Sequence, residues 1–213
     1  MPDPQNESTL ARLATVACYV SPCVMVAADI ITIALNRNAD PLSQTISGYA
    51  LGPYGWLEKI GMILVAISFF FIAVNLLKVK NQDGSAWLKF IGALLVIVGI
   101  GFITLTIFNS NVIGTLTNFH GLVHQFTAIS VSAVFYTSCI ILMVLMVKRP
   151  RFRYLSYYSG LTFLVGLAVL ILLVSGHHLN DDIGLEERLI AGFNLVWIVL
   201  AGPQIIKLTN QLQ

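Results

Sequence analysis

IGMILVAISFFFIAVNLLKVK, residues 60–80, decides the class of this protein. The first 18 of these residues carry no charge, and the run then closes on Lys78 and Lys80. A helix needs about 20 mainly apolar residues to cross the hydrocarbon of a bilayer. With the few residues that precede it, this stretch therefore predicts a membrane-spanning helix.

Five other stretches have a similar length and composition. The six predicted spans lie near residues 12–36, 57–77, 90–108, 121–147, 155–175 and 189–206. Because the connections are short, neighbouring spans are expected to pack as antiparallel hairpins. The sequence predicts an all-α, polytopic membrane protein in which residues 1–213 form one domain, a bundle of six transmembrane helices.

The composition argues against a soluble protein. Hydrophobic residues make up 57% of the chain and charged residues only 10%, whereas a soluble domain carries about 25% charged residues. A large helical domain in water would lack the charges needed to cover its surface. The net charge of +2 is too small to indicate a nucleic-acid partner.

The basic residues indicate the orientation of the chain. Nine of the 12 lysines and arginines fall on one side of the predicted bundle. They are Arg12, Lys78, Lys80, Lys89, Lys148, Arg149, Arg151, Arg153 and Lys207. The positive-inside rule then places both termini in the cytoplasm. We expect a multi-pass protein of the plasma membrane, which in a prokaryote is the cell inner membrane.

Polar side chains from separate spans collect at one depth near the outer leaflet, when each helix is measured from its basic marker at about 1.5 Å per residue. The candidate ligand-binding residues in this layer are Asp29, Glu58, His120, His124, Glu187 and Arg188. Part of the pattern is expected of any membrane protein, because polar residues gather at membrane surfaces. The opposite surface, however, has no histidine.

Asp29 lies deepest in this layer, about 25 Å above Arg12. An unpaired charged residue at the centre of a bilayer costs about 2.5–3.5 kcal/mol on insertion scales. Arg188 and the histidines are its nearest partners by depth. Two interpretations stay open: a structural ion pair or hydrogen bond, and a functional carboxylate such as a proton carrier.

The histidines raise the question of a metal. His120 and His124 are four residues apart and share one helical face, and His177 could supply the third ligand of a zinc site with one open position. Against this, two histidines recur at this spacing by chance, and the adjacent pair His177 and His178 diverges on a helix. A haem is less favoured, because its axial histidines must face each other across the ring. Zinc is the one cofactor that the pattern suggests.

A glycine-rich segment follows the first span. Residues 47–56, SGYALGPYGW, contain three glycines, one proline and three aromatic residues. This composition is typical of an ordered turn at the membrane interface. The segment is either an aromatic belt without a ligand or a lid over a cavity that opens outward.

Three short motifs resemble a known family. They are ISGYALGPYGWL at 46–57, GTLTNFHGLVHQ at 114–125 and GLEERL at 184–189. In these the chain resembles the prokaryotic membrane family called domain of unknown function 998, over nearly its whole length and with six helices in the same order. The resemblance implies that recurring positions of the family fall on Gly55, Gly61, His120, Gly184, Glu187 and Arg188. Where the family usually has a Phe-Pro-acidic motif, this chain has Phe108-Asn109-Ser110 and so lacks the carboxylate. The resemblance implies a fold but not an activity.

Three functions compete. The first is a sensor or transporter-like protein whose exoplasmic polar pocket binds a small molecule or lipid head group, with Arg188 as the anchor of an anionic group. The second is a scaffold or assembly subunit, whose outer residues would form a closed network without a cavity. The third is a metal-dependent intramembrane hydrolase with a general base at Asp29 or Glu187. Membrane lipids are the expected partners, and a homo-oligomer is compatible with the sequence.

Overall fold

The computed structural model describes residues 9–36, 39–80, 84–110, 118–175 and 182–212 of the chain. The helices in chain order are α1 (Thr9–Leu35), α2 (Ile46–Tyr49), α3 (Gly55–Leu77), α4 (Ser85–Ile107), α5 (Phe119–Met146), α6 (Arg153–Ser175) and α7 (Ile183–Asn210). A 3-10 turn, Pro150–Phe152, precedes α6. The all-helical prediction is confirmed, and the part of the chain described here contains no strand.

Six of the helices are long and apolar enough to cross a membrane, as the sequence predicts. These are all but α2, which has four residues. The largest difference from the predicted spans is in α7. It begins at Ile183 instead of near residue 189, because the polar segment GLEERL forms the first turns of the helix, ahead of the apolar stretch.

The six long helices form a closed ring. Each packs against its neighbours in the order α1, α3, α4, α5, α6 and α7, and α7 returns to α1. Helices α3 and α7 also meet across the ring. The chain thus ends beside the helix with which it begins, and the first and last helices enclose one side of α3.

Aromatic rings fill the centre of the bundle. Phe69 of α3 meets Phe135 of α5 edge to face, with ring centroids 5.6 Å apart. Phe135 meets the fully buried Trp197 of α7 at 5.1 Å. The indole N–H of Trp197 donates to the hydroxyl of Ser159, 3.0 Å away, so this buried polar group is satisfied as hydrocarbon surroundings require.

The two ends of the bundle differ. At the end where α1 begins and α7 ends, the Lys80 N–H donates to the carbonyl of Leu212 at 3.2 Å. The opposite end is covered by the connection between α1 and α3. We call its residues 39–54, which include α2, the cap.

Candidate functional site

The first and second membrane helices approach closely just below the cap. A Cβ on Gly61 of α3 would lie 3.1 Å from the Cα of Met25 and 2.6 Å from its sulfur, so a larger residue at position 61 would require Met25 to move. On the cap side of this crossing, α3 presents Glu58 about one turn away, and α1 presents Asp29 and Thr32 about one and two turns away. The close crossing therefore places these three polar side chains in one layer.

The cap begins with a side-chain-directed turn. The carboxylate of Asp40 accepts from the N–H of Leu42 at 3.1 Å and from the hydroxyl of Ser43. These hydrogen bonds, that from Ser43 foremost, hold the pKa of the Asp40 carboxyl below its usual range. Thr45 then caps α2, because its hydroxyl oxygen accepts from Gly48 N–H at 2.9 Å. Local hydrogen bonds thus determine the path of the cap backbone at these two turns.

The start of α7 lies directly against the cap. Leu185 N–H donates to the carbonyl of Leu42 at 3.0 Å. A Cβ on Gly184 would lie 2.4 Å from the carbonyl oxygen of Gln44 and 2.7 Å from those of Leu42 and Pro41. Glycine at position 184 is needed because the cap backbone occupies the space of any side chain.

Arg188 joins α1, the cap and α7. Its Nε and Nη2 donate to the two carboxylate oxygens of Asp29, at 3.0 and 2.9 Å. Its Nη1 donates to the backbone carbonyls of Pro41 and Gln44, both at 2.7 Å, and of Gly184 at 3.1 Å. The side chains of Arg188 and Asp29 are 18% and 16% exposed. We call this ion pair with its carbonyl contacts the latch, because it fixes the cap to two helices.

The aromatic ring of Tyr49 packs against the guanidinium of the latch. The guanidinium carbon of Arg188 lies 5.4 Å from the centre of its ring, within the range of a cation–π interaction. The residue is 5% exposed, and its hydroxyl has no hydrogen-bond partner in the described structure. Burial raises the pKa of the Tyr49 phenol, although the charge of Arg188 opposes that rise.

Glu187 makes a second contact between α7 and the cap. The N–H of Ser47 donates to its Oε2 over 3.4 Å, which is a long hydrogen bond. Glu187 and Arg188 therefore both face the cap, and the former contacts the start of α2 while the latter contacts residues 41–44.

Glu58 is the unusual member of this layer. It is fully buried, and neither of its carboxyl oxygens has a hydrogen-bond partner among the described residues. The buried Thr32 hydroxyl lies close enough to act on the carboxyl as a hydrogen-bond donor, although the two groups miss ordinary hydrogen-bond geometry. Asp29, Glu187 and Arg188 are near enough to act on it electrostatically. Buried polar groups are normally paired, so these atoms require an explanation.

The two described histidines lie at the junction of α4 and α5. The Nδ1 of His124 is 2.7 Å from the carbonyl oxygen of Phe108, so this nitrogen carries the proton and donates. The ring of His120 packs on Phe108 and Phe119, with centroid distances of 5.3 and 6.2 Å. Both histidines thus contact the end of α4.

Residues 109 and 110 connect the histidines to the cap side of the bundle. Lys59 donates to the amide oxygen of Asn109 at 2.9 Å, and the Ser110 hydroxyl donates to the carbonyl of Ser47 at 3.0 Å. The structure therefore brings Asp29, Glu58, Glu187 and Arg188 together around α1, α3 and α7 and places His120 and His124 in a second group. Residues 108–110 lie between the two groups.

A zinc site remains a prediction. Hydrogen bonding of His124 Nδ1 to a carbonyl leaves Nε2 as a lone-pair donor, which is the arrangement of many metal-bound histidines. Within residues 9–36, 39–80, 84–110, 118–175 and 182–212, however, no three His, Cys, Asp or Glu side chains gather in a metal-binding group. His177, the proposed third ligand, lies outside the described residues.

Sequence reasoning missed Thr32, Tyr49 and the carbonyls of Pro41 and Gln44. The position of Thr32 gives a retrospective signal, since it follows Asp29 by three residues and shares its helical face. The two backbone carbonyls could not be predicted, because every residue has a backbone carbonyl. Only the path of the cap directs those of Pro41 and Gln44 toward Arg188.

The family model described as protein of unknown function (DUF998) matches residues 19–203. The chain belongs to this family. The match includes α2, α3 and the first turns of α7, so the cap and the latch both fall within the family's extent. No curated protein and no solved structure matches the chain. As the description of DUF998 names no activity, any function has to be argued from the site.

Proposed function

We propose that this DUF998 protein binds a small cationic or hydrogen-bond-donating molecule beneath the cap, in the manner of a sensor or transporter. The observation that carries the proposal is Glu58, a fully buried carboxyl whose oxygens make no hydrogen bond of ordinary geometry with the residues that the structure describes. Carboxylate and hydroxyl oxygens accept hydrogen bonds and attract positive charge. The ligand chemistry that complements Glu58 and Thr32 is therefore a cation, an amine or a proton.

Arg188 has a different role here from the one expected of it. It was predicted to anchor an anionic group, but its hydrogen bonds go to Asp29 and to three backbone carbonyls. We assign it to holding the cap closed over Glu58. A ligand that reaches Glu58 from the cap side then has to part the cap from α7, and the latch governs that step.

Melting temperatures of the purified protein test the proposal. The probes are sodium, potassium, ammonium, choline and ethanolamine chlorides at matched ionic strength, together with a pH series. At least one probe or the proton is expected to raise the melting temperature of the wild type. Glu58→Gln should abolish that shift, whereas Asp40→Asn, which removes the charge of an exposed cap carboxylate, should keep it. The proposal fails if no probe shifts the wild type, or if the shift survives in Glu58→Gln.

A second candidate, an assembly subunit without a ligand, is favoured by the latch itself. The guanidinium of Arg188 is occupied in the closed manner that a purely structural network requires. In that case Glu58 is an unpaired buried group, and replacing it by an apolar residue of similar size is expected to be neutral or stabilising. A stabilised Glu58→Leu variant combined with no probe effect on the wild type would select this candidate.

The metal-dependent hydrolase has less support. It requires His120, His124 and a third ligand to converge, and the two described histidines instead contact Phe108. Zinc content of the purified protein decides this reading: stoichiometric zinc that is lost in a His124→Ala variant would restore it.

A further inference from the structure

We infer that a groove between α6 and α7, at the end that carries the termini, binds one acyl chain of an anionic phospholipid. The groove has a volume of about 380 Å³. From α6 it is lined by Tyr154, Leu155, Tyr157, Tyr158 and Leu161, and from α7 by Leu200, Ala201 and Gln204. This inference concerns the opposite end of the bundle from the cap and is independent of the proposed function.

The groove faces the surrounding lipid. Tyr157, Leu161 and Leu200 are 67%, 47% and 46% exposed, and all three belong to helices that can span the membrane. An apolar groove that opens from a transmembrane helix pair is continuous with the hydrocarbon of the bilayer. The molecule that can enter it from there is a lipid chain.

The depth of the groove matches the upper part of a chain and its head group. Tyr154 and Leu161 are seven residues apart on α6, which corresponds to about 10 Å along the helix. The groove therefore extends from the first turn of α6 inward. Tyrosine is typical of the membrane interface, and the half-buried amide of Gln204 can bond to an ester or phosphate oxygen.

Charge selects the head group. Arg153 precedes Tyr154 and stands four residues from Tyr157, on the same helical face. Lys207 follows Gln204 by three residues on α7. Both basic side chains are exposed, and each lies about one helical turn from a groove-lining residue, toward the end of the bundle at which α6 begins. Basic pockets between transmembrane helices at this surface are suited to anionic lipid head groups.

Native mass spectrometry of the purified protein tests the inference. The probes are phosphatidylglycerol and phosphatidylcholine with identical acyl chains, presented as an equimolar mixture in detergent micelles. The wild type is expected to retain one phosphatidylglycerol per chain in preference to phosphatidylcholine. Because one basic residue near an anionic surface is worth about fivefold in binding, Arg153→Gln or Lys207→Gln should each lower that preference about fivefold. Lys78→Gln, which removes an exposed charge at the end of α3, should leave it unchanged.

Variants that fill the groove test whether lipid retention depends on an acyl chain in the groove or only on the basic side chains. Leu161→Trp places a larger side chain in the groove and should reduce retention of both lipids several-fold. Leu164→Trp, at a position on the same helix that is 64% exposed and outside the groove lining, is the matched control and should retain lipid as the wild type does. Equal retention of the two lipids by the wild type, or equal loss in the two tryptophan variants, overturns the inference.

Discussion

Arg188 shows why a guanidinium stands where a lysine would carry the same charge. Its planar fork reaches both oxygens of Asp29 while a third nitrogen reaches Pro41 and Gln44. A lysine ammonium is a compact point charge with three donors and cannot span this set. Position 188 therefore requires the planar donor geometry of arginine as well as its positive charge.

A double-mutant cycle measures the latch. Arg188→Lys, Asp29→Asn and the double variant are compared with the wild type by chemical or thermal unfolding in detergent. Residues that share a hydrogen-bonded pair couple by about 0.5–3 kcal/mol, and we expect a coupling in this range. Arg188→Lys alone should destabilise the protein, since the carbonyls of Pro41 and Gln44 lose their donor. Additive single effects would contradict the pairing of Asp29 with Arg188.

The alkaline side of the stability profile reports on Tyr49. Burial raises the pKa of this phenol, so the folded protein keeps it neutral at a pH, above about 10, where the unfolded chain ionises it. The resulting stability is complete below that pH and is lost as the pH rises through the folded-state pKa. Tyr49→Phe has no phenol to ionise and should lose less stability between about pH 8 and about pH 11.

At neutral pH the same variant should be as stable as the wild type or more stable, by up to about 1 kcal/mol, because a buried hydroxyl without a partner costs free energy. Melting temperatures of the two proteins across the pH range check both statements. A parallel decline of wild type and Tyr49→Phe would show that this phenol does not titrate with unfolding.

Depth counting along the sequence located Asp29 and pointed to Arg188 and the histidines as candidate partners, and the structure contains the ion pair with Arg188. The prediction succeeded because a charge inside hydrocarbon needs a counter-charge at its own depth. The unpaired state of Glu58 could not be predicted in the same way. It depends on which side chains surround the carboxyl after helices α1, α3 and α7 have packed.

Two glycines of α7 have opposite surroundings, and only one of them touches the cap. Position 184 touches three cap carbonyls, whereas a Cβ on Gly192 would meet nothing within 4 Å. The sequence shows a glycine at each position and does not distinguish them. Their different roles follow from the path of the cap, which the short helix α2 and the Asp40 turn establish.

Gly184→Ala and Gly192→Ala form a matched pair of variants. Overpacking of a filled site costs about 1–3 kcal/mol, so Gly184→Ala should destabilise the protein and increase proteolysis within the cap. Gly192→Ala should be neutral or stabilising by up to about 1 kcal/mol, because alanine favours a helix over glycine. Melting temperature and limited proteolysis measure the two effects. Equal behaviour of the variants would mean that the cap does not rest on residue 184.

Hydrophobic length predicted the six long helices of the bundle, and short connections predicted which consecutive helices are neighbours. The return of α7 to α1 and its contact with α3 could not be derived from either feature, because they join segments far apart in the chain. Gly202 of α7 illustrates this, since its Cβ would lie 2.6 Å from the sulfur of Cys18 on α1. Nothing in the sequence indicates that these two residues meet.

Cysteine labelling tests the orientation predicted from the basic residues. In a background without Cys18, Cys23 and Cys139, single cysteines are introduced at Leu42 in the cap and at Lys148 between α5 and α6, both of which are exposed. A membrane-impermeant maleimide should label position 42 in intact cells and position 148 only after permeabilisation. The reverse pattern would place the termini outside and the cap in the cytoplasm.

The latch also constrains how this protein is made. Asp29 is synthesised with the first transmembrane helix, but its guanidinium partner belongs to the last, 159 residues later. Until that final segment has been synthesised, the nascent chain contains Asp29 without the guanidinium that pairs with it. A product that stops before α7 therefore lacks the partner of Asp29 and is expected to be less stable than the complete chain.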